Sequence, residues 1–64
     1  MEVQKKQGDI LVVGNHEEMH VFHQCDGGKY WYCHQSTIQC RKCNHPIKRA
    51  LAERLLKEAL NESR

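Results

Sequence analysis

Cys40 and Cys43 stand three positions apart in Cys40-Arg41-Lys42-Cys43, so both thiols fit on one tight turn and can face a single ion. Cys25 and Cys33 upstream bring the thiols to four, the ligand number that tetrahedral zinc takes. Cys25, Cys33, Cys40 and Cys43 are therefore the preferred ligands of one structural zinc ion. A regular hairpin closed at Gly27-Gly28 conflicts with this set. Cys25 would lie by the turn and Cys33 several residues from it, at ~3.3 Å of rise per residue. Either residues 26–32 form a loop rather than a ladder, or His23 replaces Cys33, which then packs as a core thiol. His45 and His34 are further alternates.

Four cysteines in so short a chain also fit two disulfides, as a secreted protein would use them. Iron–sulfur ligation by four thiolates is a third chemistry. Residues 1–6 show no apolar run behind a basic start, and no stretch is long and apolar enough to span a membrane. A reducing, cytoplasmic setting is expected from this, and zinc with it. His16-Glu17-Glu18-Met19-His20 matches H-E-x-x-H, the zinc-protease pattern in which two His and a general-base Glu share a helix face. Five histidines in 64 residues make such a match cheap, and no substrate-binding sheet with a second domain fits in this length. No Ser/His/Asp arrangement, phosphate-cradling glycine loop or paired carboxylates are present. A site closed by thiolates is structural, and no enzymatic activity is expected.

The elements that must hold these ligands belong to one small domain. At 64 residues the core is small, and conformational entropy nearly cancels what it contributes, so a metal staple has a physical role. Residues 1–7 are polar and expected to be disordered, with the zinc-binding domain spanning 8–62. The β-branched run Asp9 to Val13, ended by Gly14-Asn15, reads as a strand. Asn15 could cap a short helix with Glu18 as its partner, but rough alternation from Met19 to Cys25 favours a second strand. Gly27-Gly28 marks a turn, Tyr30 to Cys33 an aromatic strand, and Thr37 to Gln39 a further short strand. Asn44 or His45 caps the last element, Pro46 fits its first turn, and residues 47–61 are helical. On that helix Leu51, Ala52, Leu55, Leu56 and Ala59 form one apolar face, flanked by Ile47 and Leu60. The expected fold is thus a small α+β zinc-finger domain: a β-hairpin or three-stranded antiparallel sheet, then one C-terminal amphipathic helix.

Cys40-x-x-Cys43 ahead of a helix, with Ile38 just before it, resembles the second half of treble-clef and zinc-ribbon fingers. Small phage and bacterial zinc-ribbon regulators share that look. The likeness covers Cys25 to about Leu51 and departs at the first pair, since Cys25 and Cys33 are more widely spaced than a knuckle requires. The resemblance implies a regulator of transcription or translation, or a small inhibitor of a larger machine.

The distribution of charge suggests a polyanionic partner, with a solvated helix face as the plainer reading. The total is only +2, but Arg41, Lys42, Lys48, Arg49, Arg54 and Lys57 fall in one region, opposed there by Glu53 and Glu58, and the acids Asp9, Glu17, Glu18 and Asp26 lie in the first half. Arg41, Lys42, Lys48 and Arg49 are candidate phosphate contacts, with Trp31 or its neighbours Tyr30 and Tyr32 stacking on bases of DNA or RNA. The alternative is a protein-interaction adaptor or inhibitor, acting on RNA polymerase, a sigma-like factor or a nuclease through Leu56 and Leu60. These two exceed what a small hairpin can cover. Homodimerisation through the same face is compatible with either.

Overall fold

The computed structural model describes residues 2–63. Strands β1 (Val3–Gln7), β2 (Ile10–Gly14), β3 (Met19–His23) and β4 (Trp31–Tyr32) form one antiparallel sheet in the order β1-β2-β3-β4. Helix α1 (Arg49–Glu62) follows at the C-terminal end. The small α+β class with a single C-terminal helix is as expected, with one strand more than the three foreseen.

That extra strand is β1, where a disordered terminus was expected; only Met1 of that segment lies outside the described residues. It pairs in full register with β2, from Val3 opposite Gly14 to Gln7 opposite Ile10, across the two-residue connection Gly8-Asp9. Gly8 takes a φ of 60°, open to glycine without strain. The lysines that made this stretch read as frayed suit an edge strand, where charge discourages pairing with other chains. Lys5 also makes an ion pair with Glu62 at the far end of α1.

Alternation sorts the sheet into two unlike faces. On one, Val12 and Val21 are opposite each other and pack with Ala52 and Leu55 of α1; Val12, Ala52 and Leu55 have no exposed surface. Ile38, Ile47, Cys33 and Cys40 complete this core. On the other face, register places Lys6, Leu11, Phe22 and Tyr32 in one row across all four strands. Leu11, Phe22 and Tyr32 are half-buried, and α1 lies on the opposite side.

Between strand and helix the chain departs from expectation. Residues 24–30 form an open loop rather than a tight hairpin turn, so β3 and β4 pair only at Phe22–Tyr32 and His23–Trp31. Thr37 to Gln39 is not a strand, because Ile38 adopts a φ of 50° and turns its side chain into the core. Residues 46 and 47 are extended: Pro46 bridges to Gln39, and the Ile47 N–H donates to the Ile38 carbonyl at 2.8 Å. These ties delay the helix to Arg49. Its N-cap is Lys48, which makes no side-chain cap, rather than Asn44 or His45. Ala52, Leu55 and Ala59 are the buried stripe, with Leu51, Leu56 and Leu60 half-buried beside it.

Candidate metal centre

Three stretches converge at the end of the sheet. His23 is the last residue of β3, Cys25 begins the loop after it, and Cys40 and Cys43 bound a turn stitched between β4 and α1. That turn is a knuckle. The Cys40 N–H donates to the His45 carbonyl at 3.1 Å, and the Asn44 N–H returns to the Cys40 carbonyl at 2.9 Å. Asn44 has a φ of 62°, a left-handed position that asparagine tolerates better than most residues.

The ligand atoms of His23, Cys25, Cys40 and Cys43 all lie within 4.8 Å of one another. A tetrahedral zinc with bonds of ~2.3 Å sets its ligands about 3.7 Å apart. His23 Nδ1 and Cys43 Sγ, 3.5 Å apart, already meet that spacing, and a contraction of about 1 Å closes the widest pair. The thiols are free, with no disulfide formed. Three thiols and one imidazole are a structural zinc donor set, and this cluster could bind one zinc ion.

Cys33 belongs to the preferred ligand set and is not in the cluster; His23 takes its place. The reason is register. The Cys33 N–H donates to the Val21 carbonyl at 2.8 Å, which sets Cys33 beside Val21 on the core side of the sheet. Cys25 lies four residues beyond Val21, roughly 13 Å along an extended chain. Cys33 is 2% exposed, and burial first, then the nearby Cys40 and Cys43, pushes its thiol up to about 11. It remains a protonated core thiol. His45 is also outside the cluster: its ring stacks on that of His23 at 5.0 Å and 18°. His34 is exposed and also outside the cluster.

Electrostatics within the cluster favour a cation. Burial alone would push the Cys40 thiol up, but the N–H groups of Cys43 and Lys42 and the His23 ring bring it down to about 6. The Lys42 N–H lies 3.4 Å from Cys40 Sγ. Burial and the neighbouring Cys43 and Cys40 push Cys25 up to about 11. One thiolate therefore forms readily and opposes the next, a conflict that a divalent ion removes. The knuckle N–H groups supply this stabilisation without the helix, since α1 begins six residues after Cys43.

His23 is oriented from behind. Its Nε2 lies 2.8 Å from Asp9 Oδ2, leaving Nδ1 towards the thiols. Burial lowers the affinity of this ring for a proton, but Cys40 and Asp9 outweigh burial and hold its pKa above the usual value. The same hydrogen bond holds the Asp9 carboxyl below the usual carboxylate range. Sequence reasoning missed Asp9, whose only signal was its place in a Gly-Asp turn.

The other predicted residues scatter. Arg41 lies over the Tyr32 ring, 4.9 Å from its centroid, and Lys42 over Trp31 at 4.8 Å. Lys42 also pairs with Asp26 at 2.6 Å. Trp31 is 37% exposed. Lys48 and Arg49 sit apart at the start of α1, where Arg49 donates to the Gln35 and Ser36 carbonyls. Leu56 and Leu60 line a groove of about 620 Å³ between α1 and the β2–β3 connection, with Met19 in its lining. His16 and Glu17 lie in that connection and His20 in β3, so H-E-x-x-H has no helix to place its histidines on one face. Among the described residues no helix is long and apolar enough to cross a membrane. Comparison of the chain with protein-family models, curated proteins and solved structures gives no match.

Proposed function

We propose that this chain is a zinc-stapled nucleic-acid-binding module, a small regulator of transcription or translation. The supporting observation is the position of Arg41 and Lys42. They lie between the two knuckle cysteines, and each is held over an aromatic ring of β4. A metal in the cluster fixes the knuckle, and the knuckle fixes a guanidinium and an ammonium beside Tyr32 and Trp31. Cations contact phosphates, while rings and guanidinium planes stack on bases. Phosphate competes with Asp26 for Lys42, so Arg41 carries more of the affinity.

The test is fluorescence anisotropy of labelled DNA and RNA with zinc-loaded protein across a salt series. Affinity should fall steeply with salt, as counterion release requires, and fall further in Arg41→Ala. Salt-insensitive binding, or none, overturns the proposal.

A second reading, self-association, draws on the groove beside α1. Its loop wall carries Glu17 and Glu18, and its helix wall Arg49 and Lys57 with Glu53 between them, around Leu56 and Leu60. Under a two-fold axis Glu17 and Glu18 of one copy meet Arg49 and Lys57 of the other around the leucines. Native mass spectrometry of the parent and of Leu56→Asp checks it: a dimer lost in the variant supports this reading, and a monomeric parent overturns it.

A further inference from the structure

No strand or helix among the described residues covers the sheet face away from α1, which is closed over only in part by Tyr30, whose hydroxyl is buried without a hydrogen-bond partner. Register sets Lys6, Leu11, Phe22 and Tyr32 side by side across the four strands. Arg41 lies over the Tyr32 ring at that end of the row, and the Tyr30 ring lies beside Lys6, its centroid 5.6 Å from the ammonium. The next rung holds Val13 opposite His20. The platform is therefore apolar and aromatic in the middle, with a fixed positive charge at either end.

Its rings are held in place. Phe22 and Tyr32 meet edge to face at 5.4 Å, and the Tyr32 hydroxyl lies 3.3 Å from His20 Nδ1 and also accepts from the Gln35 amide. Leu11, Val13, His20, Phe22, Tyr30 and Tyr32 are all half-buried, in contrast to the buried Val12, Val21 and His23 of the other face.

We infer that this face binds single-stranded nucleic acid, with bases stacked on Phe22 and on the Arg41 guanidinium that lies over Tyr32, and the backbone running between Lys6 and Arg41. The inference rests on the nucleic-acid reading above and adds the strandedness and the surface. Sheets that read a duplex insert a narrow ribbon or bend the DNA, whereas unpaired bases offer ring faces to aromatic side chains whatever their sequence. Paired bases are stacked on each other and have no free face to give. The terminal cations suit a polyanion and would be of no use to an apolar ligand.

The experiment compares labelled ten-nucleotide oligo(dT) and oligo(U) with a DNA duplex, using zinc-loaded protein, with far-UV circular dichroism and zinc content recorded for every variant. Single strands should bind at least tenfold more tightly than the duplex, and the two oligomers decide between DNA and RNA. Phe22→Ala should weaken single-strand binding at least tenfold. Phe22→Leu, which keeps apolar volume but removes the ring, should weaken it comparably and guards against a folding defect in the alanine variant. Lys6→Ala should reduce the salt dependence by about one phosphate contact. Duplex binding as tight as single-strand binding, or an unaltered affinity in Phe22→Leu while Arg41→Ala weakens binding, overturns the open-face assignment and leaves the nucleic-acid reading standing. Absence of binding to all three probes overturns both.

Discussion

His23 Nε2 lies 2.8 Å from Asp9 Oδ2, a hydrogen bond that ties the β1–β2 turn to the end of β3. An imidazole donating from Nε2 keeps its Nδ1 lone pair free, and Nδ1 is the nitrogen that faces Cys43. The carboxylate thus sets both the tautomer and the aim of the ligand. Such partners behind a ligand are commonly worth 10–100-fold in metal affinity.

Asp9→Asn should therefore weaken zinc binding by about 10–100-fold, read by competition with a chromophoric chelator. Saturating zinc should restore the parent circular dichroism. Asp9→Ala should behave similarly, because both substitutions remove the charged acceptor. An affinity within twofold of the parent would show that His23 is held by packing alone.

Cys33 and Cys25 should separate cleanly. Cys33→Ser should retain one zinc per chain by native mass spectrometry, because its side chain lies in the core rather than in the cluster. It should melt at lower temperature than the parent, since a hydroxyl buried without a partner costs about 1–3 kcal/mol. Cys25→Ser should lose tight zinc binding instead. The reverse pattern would restore the four-cysteine site.

Much of this was legible in the residues. The Cys40-x-x-Cys43 turn, the β-branched strand at 10–14 and the apolar stripe of α1 carry strong local signals, and all three are present. The sequence favours Cys33 over His23 and the cluster holds His23 instead, because that choice depends on the β3–β4 register and on how open the 24–30 loop is. Neither is encoded by periodicity, since Gly27-Gly28 fits a tight turn as well as a loop. Strand β1 was hidden by its lysines: an edge strand of polar residues resembles a frayed terminus until its partner strand is known. The open face was hidden likewise, because the row from Lys6 to Tyr32 draws one residue from each of four strands.

Gly14 should be intolerant of any side chain. A Cβ there would sit 2.2 Å from the Glu18 carbonyl oxygen, an impossible contact with backbone. That carbonyl accepts from the Asn15 N–H at 2.9 Å, while Asn15 Oδ1 accepts from the Glu17 and Glu18 N–H groups, so the turn cannot easily give way. Gly14→Ala should destabilise by roughly 1–3 kcal/mol, as forced overpacking does. At Gly8 a Cβ meets nothing within 4 Å, so Gly8→Ala incurs only the left-handed backbone cost of about 1 kcal/mol. Thermal melts of the two zinc-loaded variants should rank Gly14→Ala as the less stable.

Zinc removal should unfold more than the knuckle. Cys40 belongs both to the candidate metal cluster and to the core, packed with Ile38, Ile47 and Leu55, so releasing it loosens the seat of α1. A domain of this size holds only about 3–10 kcal/mol in total, and a structural zinc site contributes folding energy of at least that order. Chelation should therefore reduce the helical circular dichroism signal as well as the near-UV signal of Trp31, and added zinc should recover both. Acid should do the same. The three thiols must be deprotonated and the imidazole neutral to hold the ion, so affinity falls as pH falls and protons outcompete metal. The melting temperature of the zinc-loaded protein should decline on acidification well before ordinary carboxylates titrate. Cys33→Ser should follow the same pH course, because its thiol takes no part in the exchange. A helix signal unchanged by chelator would mean that the sheet and α1 pack without the staple, with the metal confined to ordering residues 39–46.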